Sequence, residues 1–189
     1  MKGVVLVLFE EFILGNWDEA TFEQLLDDCP HTAGEPFVSP KTYPDQWIVD
    51  LLGAACRRLG LTPAVALQSF GKFCFHGLSR RFPAFVEGME SPRRLLESVN
   101  DIIHVEVRKL MQGAEPPRLV CRPAADGPNV LDVEYDSHRG LCALVSGLLD
   151  GCAEHYGVPF QHEHTRCKQR GDTVCSFRVT FPVLASERP

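Results

Sequence analysis

Two adjacent prolines, Pro116 and Pro117, divide this 189-residue chain into stretches of different texture. Proline fixes φ and lacks a backbone N–H, so no helix runs through such a pair. Gly113, just upstream, is a further stop signal. Before the pair, apolar residues recur at helical spacing. In residues 3–15 they are Val4, Val5, Leu8, Phe9 and Phe12; in residues 18–26 they are Phe22, Leu25 and Leu26. Residues 32–44 carry proline and glycine without periodicity and read as a loop. Helices are predicted over 45–59, stopped by Gly60, and from Thr62-Pro63 to about Phe75. A last one is predicted over Pro92 to Met111, where Ser91 is a cap and Pro92 the first helical residue.

After the pair, the texture is that of strands. Residues 119–122 and 130–135 alternate around Asp126-Gly127, and residues 160–169 and 173–181 flank Arg170-Gly171-Asp172. Between these pairs lies a helical run, 141–156, ended by Gly157. A helical half followed by β-β-α-β-β predicts an α+β fold with an antiparallel four-stranded sheet. The length suits one domain with a sizeable core.

A net charge of −6 leaves no electrostatic footprint for nucleic acid. No run approaches the ~20 apolar residues of a membrane span. The apolar run Val4–Phe9 stops at Glu10-Glu11 without a cleavage site, unlike an export signal. The eight cysteines therefore read as reduced thiols in a cytoplasmic protein rather than as disulfides.

Three constellations could carry chemistry. His104 falls at the edge of the apolar arc formed by Leu95, Leu96, Val99, Ile102, Ile103, Val107 and Leu110. It reads as a core-boundary histidine or as a ligand between layers. Tyr135, Ser137 and Arg139 alternate at the end of a strand, which puts three donors on one face. That face is either a solvated strand end or a carboxylate or phosphate clamp. Cys142, His164, Cys167 and Cys175 have the Cys₃His composition of a tetrahedral zinc site, and Cys167 and Cys175 flank Gly171 symmetrically. Buried unligated cysteines are the alternative, and Cys29, Cys56, Cys121 and Cys152 carry only that reading.

Met1-Lys2-Gly3, His104 with the following Gly113-Ala114-Glu115-Pro116-Pro117-Arg118-Leu119, and Tyr135-x-Ser137-x-Arg139 together resemble the haem–nitric oxide/oxygen binding (H-NOX) family. That family includes the haem domain of soluble guanylate cyclase, and the resemblance covers essentially the whole chain. It implies one H-NOX domain over 1–189: a distal helical subdomain (1–62), a proximal α/β subdomain (63–183) and a tail (184–189), with haem b between the subdomains. It implies that His104 is the protein ligand to haem iron and that Tyr135, Ser137 and Arg139 bind the propionates. Pro117 matches the proline that presses on the porphyrin, and Val5, Phe9, Cys74 and Leu144 match the distal lining.

Oxygen-binding members carry a donor tyrosine at the position of Leu144. Leucine cannot donate, so the chain resembles members that bind NO, with CO as a further ligand, and exclude O₂. By the same resemblance, NO binding weakens the bond to His104, the porphyrin flattens against Pro117, and the helical half rotates against the sheet half. Output would run in trans through a histidine kinase or a cyclic-di-GMP enzyme, because no enzymatic segment is recognisable. The Cys142, His164, Cys167 and Cys175 spacing resembles a zinc-containing subset of the family. The competing classes are a zinc/thiol redox sensor and a haem enzyme such as a peroxidase. The latter needs a distal acid–base residue, for which His76 is the nearest candidate.

Overall fold

The architecture comes from a computed structural model that describes residues 1–182; residue 183 and the tail expected at 184–189 lie outside the described residues. The N-terminal part holds α1 (Gly3–Asn16), α2 (Glu19–Asp28), α3 (Asp45–Leu59) and α4 (Pro63–Arg81). Local chemistry sets their starts. The Asp18 side chain accepts from Thr21 N at 2.8 Å, and Thr62 accepts from Val65 N at 3.4 Å ahead of Pro63. Helix α1 is more than amphipathic: Leu6, between the expected apolar positions, is as buried as Leu8 and Phe9. A helix buried nearly all round sits at the centre of its layer, and α2, α3 and α4 enclose it with Phe22, Leu25, Ile48, Leu51 and Phe70.

The C-terminal part is a sheet of order β1-β2-β4-β3, antiparallel throughout. The strands are β1 (Arg118–Pro123), β2 (Val130–Asp136), β3 (Gln161–Arg166) and β4 (Cys175–Thr180). Period-two alternation points Leu131, Val133 and Tyr135 of β2, with Phe177 and Val179 of β4, toward one face. Helix α7 (Cys142–Tyr156) covers that face with Val145, Leu149 and Cys152. The α+β class with an antiparallel four-stranded sheet is the observed one. Among the described residues no helix is long and apolar enough to cross a membrane.

Helices α4 and α7 join the two parts at very short range. A Cβ on Gly147 would overlap the Gln68 carbonyl, and one on Gly71 would overlap that of Leu144. Only glycine permits such backbone approach. Helix α4 thereby contributes Phe70 and Cys74 to the helical core while Phe75 packs on the sheet-side core.

Four predicted elements need correction. The helix from Thr62-Pro63 continues past Phe75 to Arg81, because its real stop is Pro83, which disfavours helical backbone at Phe82. The helix over 92–111 is interrupted: α5 (Pro92–Ser98) passes into a π-helical turn (Val99–Ile103) and then α6 (His104–Leu110). The wider turn breaks the 100° spacing on which the apolar arc was drawn. Ile102 and Leu110, placed on that arc, are instead 52% and 68% exposed. The strand expected over 160–169 ends at Arg166, because the Cys167 carbonyl accepts from Arg170 N (2.8 Å) and Asp172 N (3.2 Å) in a tight turn. The final strand is correspondingly Cys175–Thr180.

Candidate functional site

A cavity of about 600 Å³ opens between the helical part and the α7–sheet layer. Cofactor sites span roughly 300–1,000 Å³ and are mostly apolar with a few convergent polar groups. Leu95, Leu96, Val99, Ile103, Val107 and Met111 wall one side, and His104 is the ring among them. The π-helical turn brings His104 from the edge of the expected arc onto this wall between Ile103 and Val107. Its Nδ1 is buried and has no hydrogen-bond partner. Burial, with Arg108 nearby, pushes the imidazole down to about 4 despite the Pro117 carbonyl beside it. The ring is therefore neutral near pH 7, the form in which imidazole ligates a metal. Pro116 and Pro117 line the same cavity.

Tyr135, Ser137 and Arg139 converge at one end of the cavity, by a route the alternation argument missed. Strand β2 ends at Asp136, so only Tyr135 projects from the sheet. The chain then turns, and the Ser137 hydroxyl accepts from Arg139 N at 3.2 Å. Burial pushes the Tyr135 phenol up, with Ser137 opposing, so it remains a neutral donor. Arg139 Nε lies 2.9 Å from Asp45 Oδ2, and Nη1 donates to the Glu115 carbonyl at 2.7 Å. Asp45 also accepts from the Met1 ammonium and meets His138 Nε2 at 2.9 Å, and these contacts, with that of Arg139, outweigh its partial burial to hold the carboxyl far below its usual range. Neither Asp45 nor Glu115 was foreseen as part of the site. Asp45 stands 94 residues from Arg139 on another element, and no local pattern links them.

Most of the remaining lining is apolar, with hydroxyls from Thr42, Tyr43 and Ser79 among it. Val5 and Leu144 line the cavity, with Leu78, Val145, Leu148 and Leu149. Phe9 and Cys74 are not among the lining residues; both are buried in the adjoining helical core, where Phe9 packs edge-on to Phe70 at 5.4 Å. Burial drives the Cys74 thiol far above its usual range, toward the neutral form. His76 is also absent from the lining; its Nε2 meets Glu154 Oε2 at 3.1 Å beside a separate cleft.

The thiol cluster assembles as expected. One donor atom from each of Cys142, His164, Cys167 and Cys175 lies within 4.8 Å of every other. Cys142 Sγ and Cys167 Sγ are 3.8 Å apart. Two sulfurs each ~2.3 Å from a tetrahedral zinc stand roughly 3.8 Å apart, so the spacing fits the ion. His164 Nε2 is buried without a hydrogen-bond partner, and its ring stacks on Phe177 at 4.4 Å and 8°. Burial pushes the Cys142 thiol up to about 12, with the neighbouring thiols adding to it. At Cys167 burial is outweighed by the Gln169 backbone and by Cys142, and the thiol is lowered. The set can hold a metal.

Comparison with known proteins agrees with the geometry. A family model described as Haem-NO-binding matches residues 2–164. The chain is 25% identical to an H-NOX protein from Shewanella oneidensis solved in the Fe(II)NO ligation state, covering 97% of this chain and 100% of that one, with a TM-score of 0.89. It is 26% identical to the H-NOX domain of the same organism in the Fe(II)CO state, covering 96% and 99% (TM-score 0.85). An unliganded Fe(II) H-NOX protein from K. algicida is 21% identical, with 98% of each chain covered and a TM-score of 0.85. No curated protein matches. The match from residue 2 to residue 164, together with the shared architecture, means that the chain belongs to the haem–NO-binding (H-NOX) family.

Proposed function

We propose that the protein is a haem-based nitric oxide sensor that excludes O₂ and regulates a separate signalling protein, a histidine kinase or a cyclic-di-GMP enzyme, in the cytoplasm. The observation that carries this reading is the half-buried imidazole of His104, its Nδ1 buried without a hydrogen-bond partner, on the wall of a largely apolar cavity. Ferrous haem, when bound there, supplies an open coordination position for a diatomic gas. His104 holds the cofactor from one side. Tyr135, Ser137 and Arg139 orient its carboxylates, and the Asp45 contact keeps the Arg139 fork in place. Pro117 would abut it, and the distal (1–62) and proximal (63–183) subdomains would enclose it between them.

Val5 and Leu144 bring no hydrogen-bond donor to the gas side. A polar O₂ complex needs such a donor more than NO does, which supports selectivity for NO. Leu144→Tyr is the direct test. One added hydrogen bond of about 1.4 kcal/mol slows O₂ release about tenfold, measurable by stopped-flow after mixing with oxygenated buffer. Unchanged O₂ behaviour, with the hydroxyl inside the cavity, would show that position 144 does not set ligand choice.

The depressed basicity of His104 gives a pH prediction. A ring of ordinary pKa protonates below about 6.5, whereas His104 stays neutral down to about 4. Haem retention is therefore expected to hold from pH 8 to 5 and fall toward pH 4, read from the Soret band. A loss centred near pH 6.5 contradicts the burial argument.

A second reading, a zinc/thiol redox sensor, is favoured by the cluster itself, whose Cys167 is the thiol shifted toward thiolate. Zinc held by Cys142, His164, Cys167 and Cys175 would be released when the thiolates oxidise. Peroxide added to haem-free protein should then change partner activity; no change removes this reading.

A further inference from the structure

The cavity and the thiol cluster share their walls. Tyr135 lines the cavity and is the register partner of Cys175 across β2 and β4. Cys142 is the first residue of α7; Leu141 before it, and Leu144, Val145 and Leu148 after it, line the cavity. His164 stacks on Phe177, whose register partner is Val133, another lining residue. Cys142 and Cys175 are thus one covalent or ladder step from the cavity surface, and His164 is two, through Phe177 and Val133. All of this lies in a close-packed region where Leu131, Val133, Phe177 and Val179 are fully buried. Packed interiors transmit displacement rather than absorb it.

We propose that metal occupancy of the cluster and cofactor occupancy of the cavity are thermodynamically coupled, the metal tightening the cavity's hold on haem by fixing Cys175 behind Tyr135 and Cys142 at the root of α7. This rests on reading the cavity as the haem site and the cluster as a zinc site. The coupling acts through position: the metal draws Cys142 and Cys175 to fixed bond lengths, which sets the Tyr135 ladder position and the first turn of α7. Coupling between two binding equilibria is reciprocal, so haem must tighten zinc by the same factor.

The test uses the full chain loaded with haem. Metal and haem content are measured first, and haem loss to excess apomyoglobin is then followed for zinc-loaded and chelator-stripped protein. Stripping is expected to accelerate haem loss at least about fivefold, the lower end of ordinary coupling. Zinc affinity, measured by competition with a chromophoric chelator, should fall when haem is absent, by the factor by which stripping zinc lowers the equilibrium affinity for haem. Far-UV circular dichroism checks that the stripped protein remains folded. If it does not, zinc is replaced by cadmium, a larger ion on the same thiolates, and the haem-loss rate must still change. Protein that takes up no zinc overturns the metal reading, and the coupling with it. Protein that binds both groups but loses haem at one rate in every metal state overturns the coupling alone.

Discussion

A His104→Ala chain is expected to lose haem affinity by more than about 100-fold, the upper end of what removing even a supporting group costs a metal site. It should also lose every NO-dependent effect on its partner. Its fold should survive. The substitution removes a half-buried ring whose Nδ1 is buried without a hydrogen-bond partner, and a buried polar atom left unsatisfied costs stability rather than adding it. The haem-free variant is therefore expected to melt at or near the temperature of the haem-free parent. Normal haem content together with intact NO regulation would rule out His104 as the ligand. A large loss of melting temperature in the haem-free form would instead mark the ring as a packing element.

Cys175→Ala is expected to reduce zinc from about one ion per chain to near none in protein purified without added metal. The same variant should be destabilised. A ligand present at 1,000 times its Kd stabilises the native state by about 4 kcal/mol, and that contribution disappears with the site. The melting temperature should then no longer depend on chelator, whereas that of the parent should fall when chelator is added. Unchanged metal content in the variant excludes Cys175 as a ligand. Variants of Cys29, just after α2, or of Cys56, on α3, both outside the cluster, are expected to keep their zinc.

The sequence made the covalently local features legible. Caps at Thr62 and Ser91, the Pro116-Pro117 break and the Gly171 turn each act within a few residues, and each marks an element boundary in the fold. The thiol cluster was legible for a related reason: one short hairpin carries three of its four residues. The site's long-range partners were not. The Asp45–Arg139 pair joins α3 to the turn after β2, and only the packing of the two halves brings them together. The π-helical turn over Val99–Ile103 was also invisible, because periodicity assumes a constant residue count per turn. That single insertion turns His104 into the cavity and sends Ile102 outward. The tight α4–α7 crossing was written in Gly71 and Gly147, but glycine within a helix does not announce which backbone approaches it.

Selective capture of NO at a haem held by His104, beside the donor-free side chains of Val5 and Leu144, is the central expectation. It is tested most directly by the absorption spectrum of the reduced, haem-loaded protein, recorded in air and then after addition of NO. The expected result is a spectrum unchanged in air apart from slow oxidation, followed by a prompt shift with NO. A stable O₂ complex formed in air would contradict it.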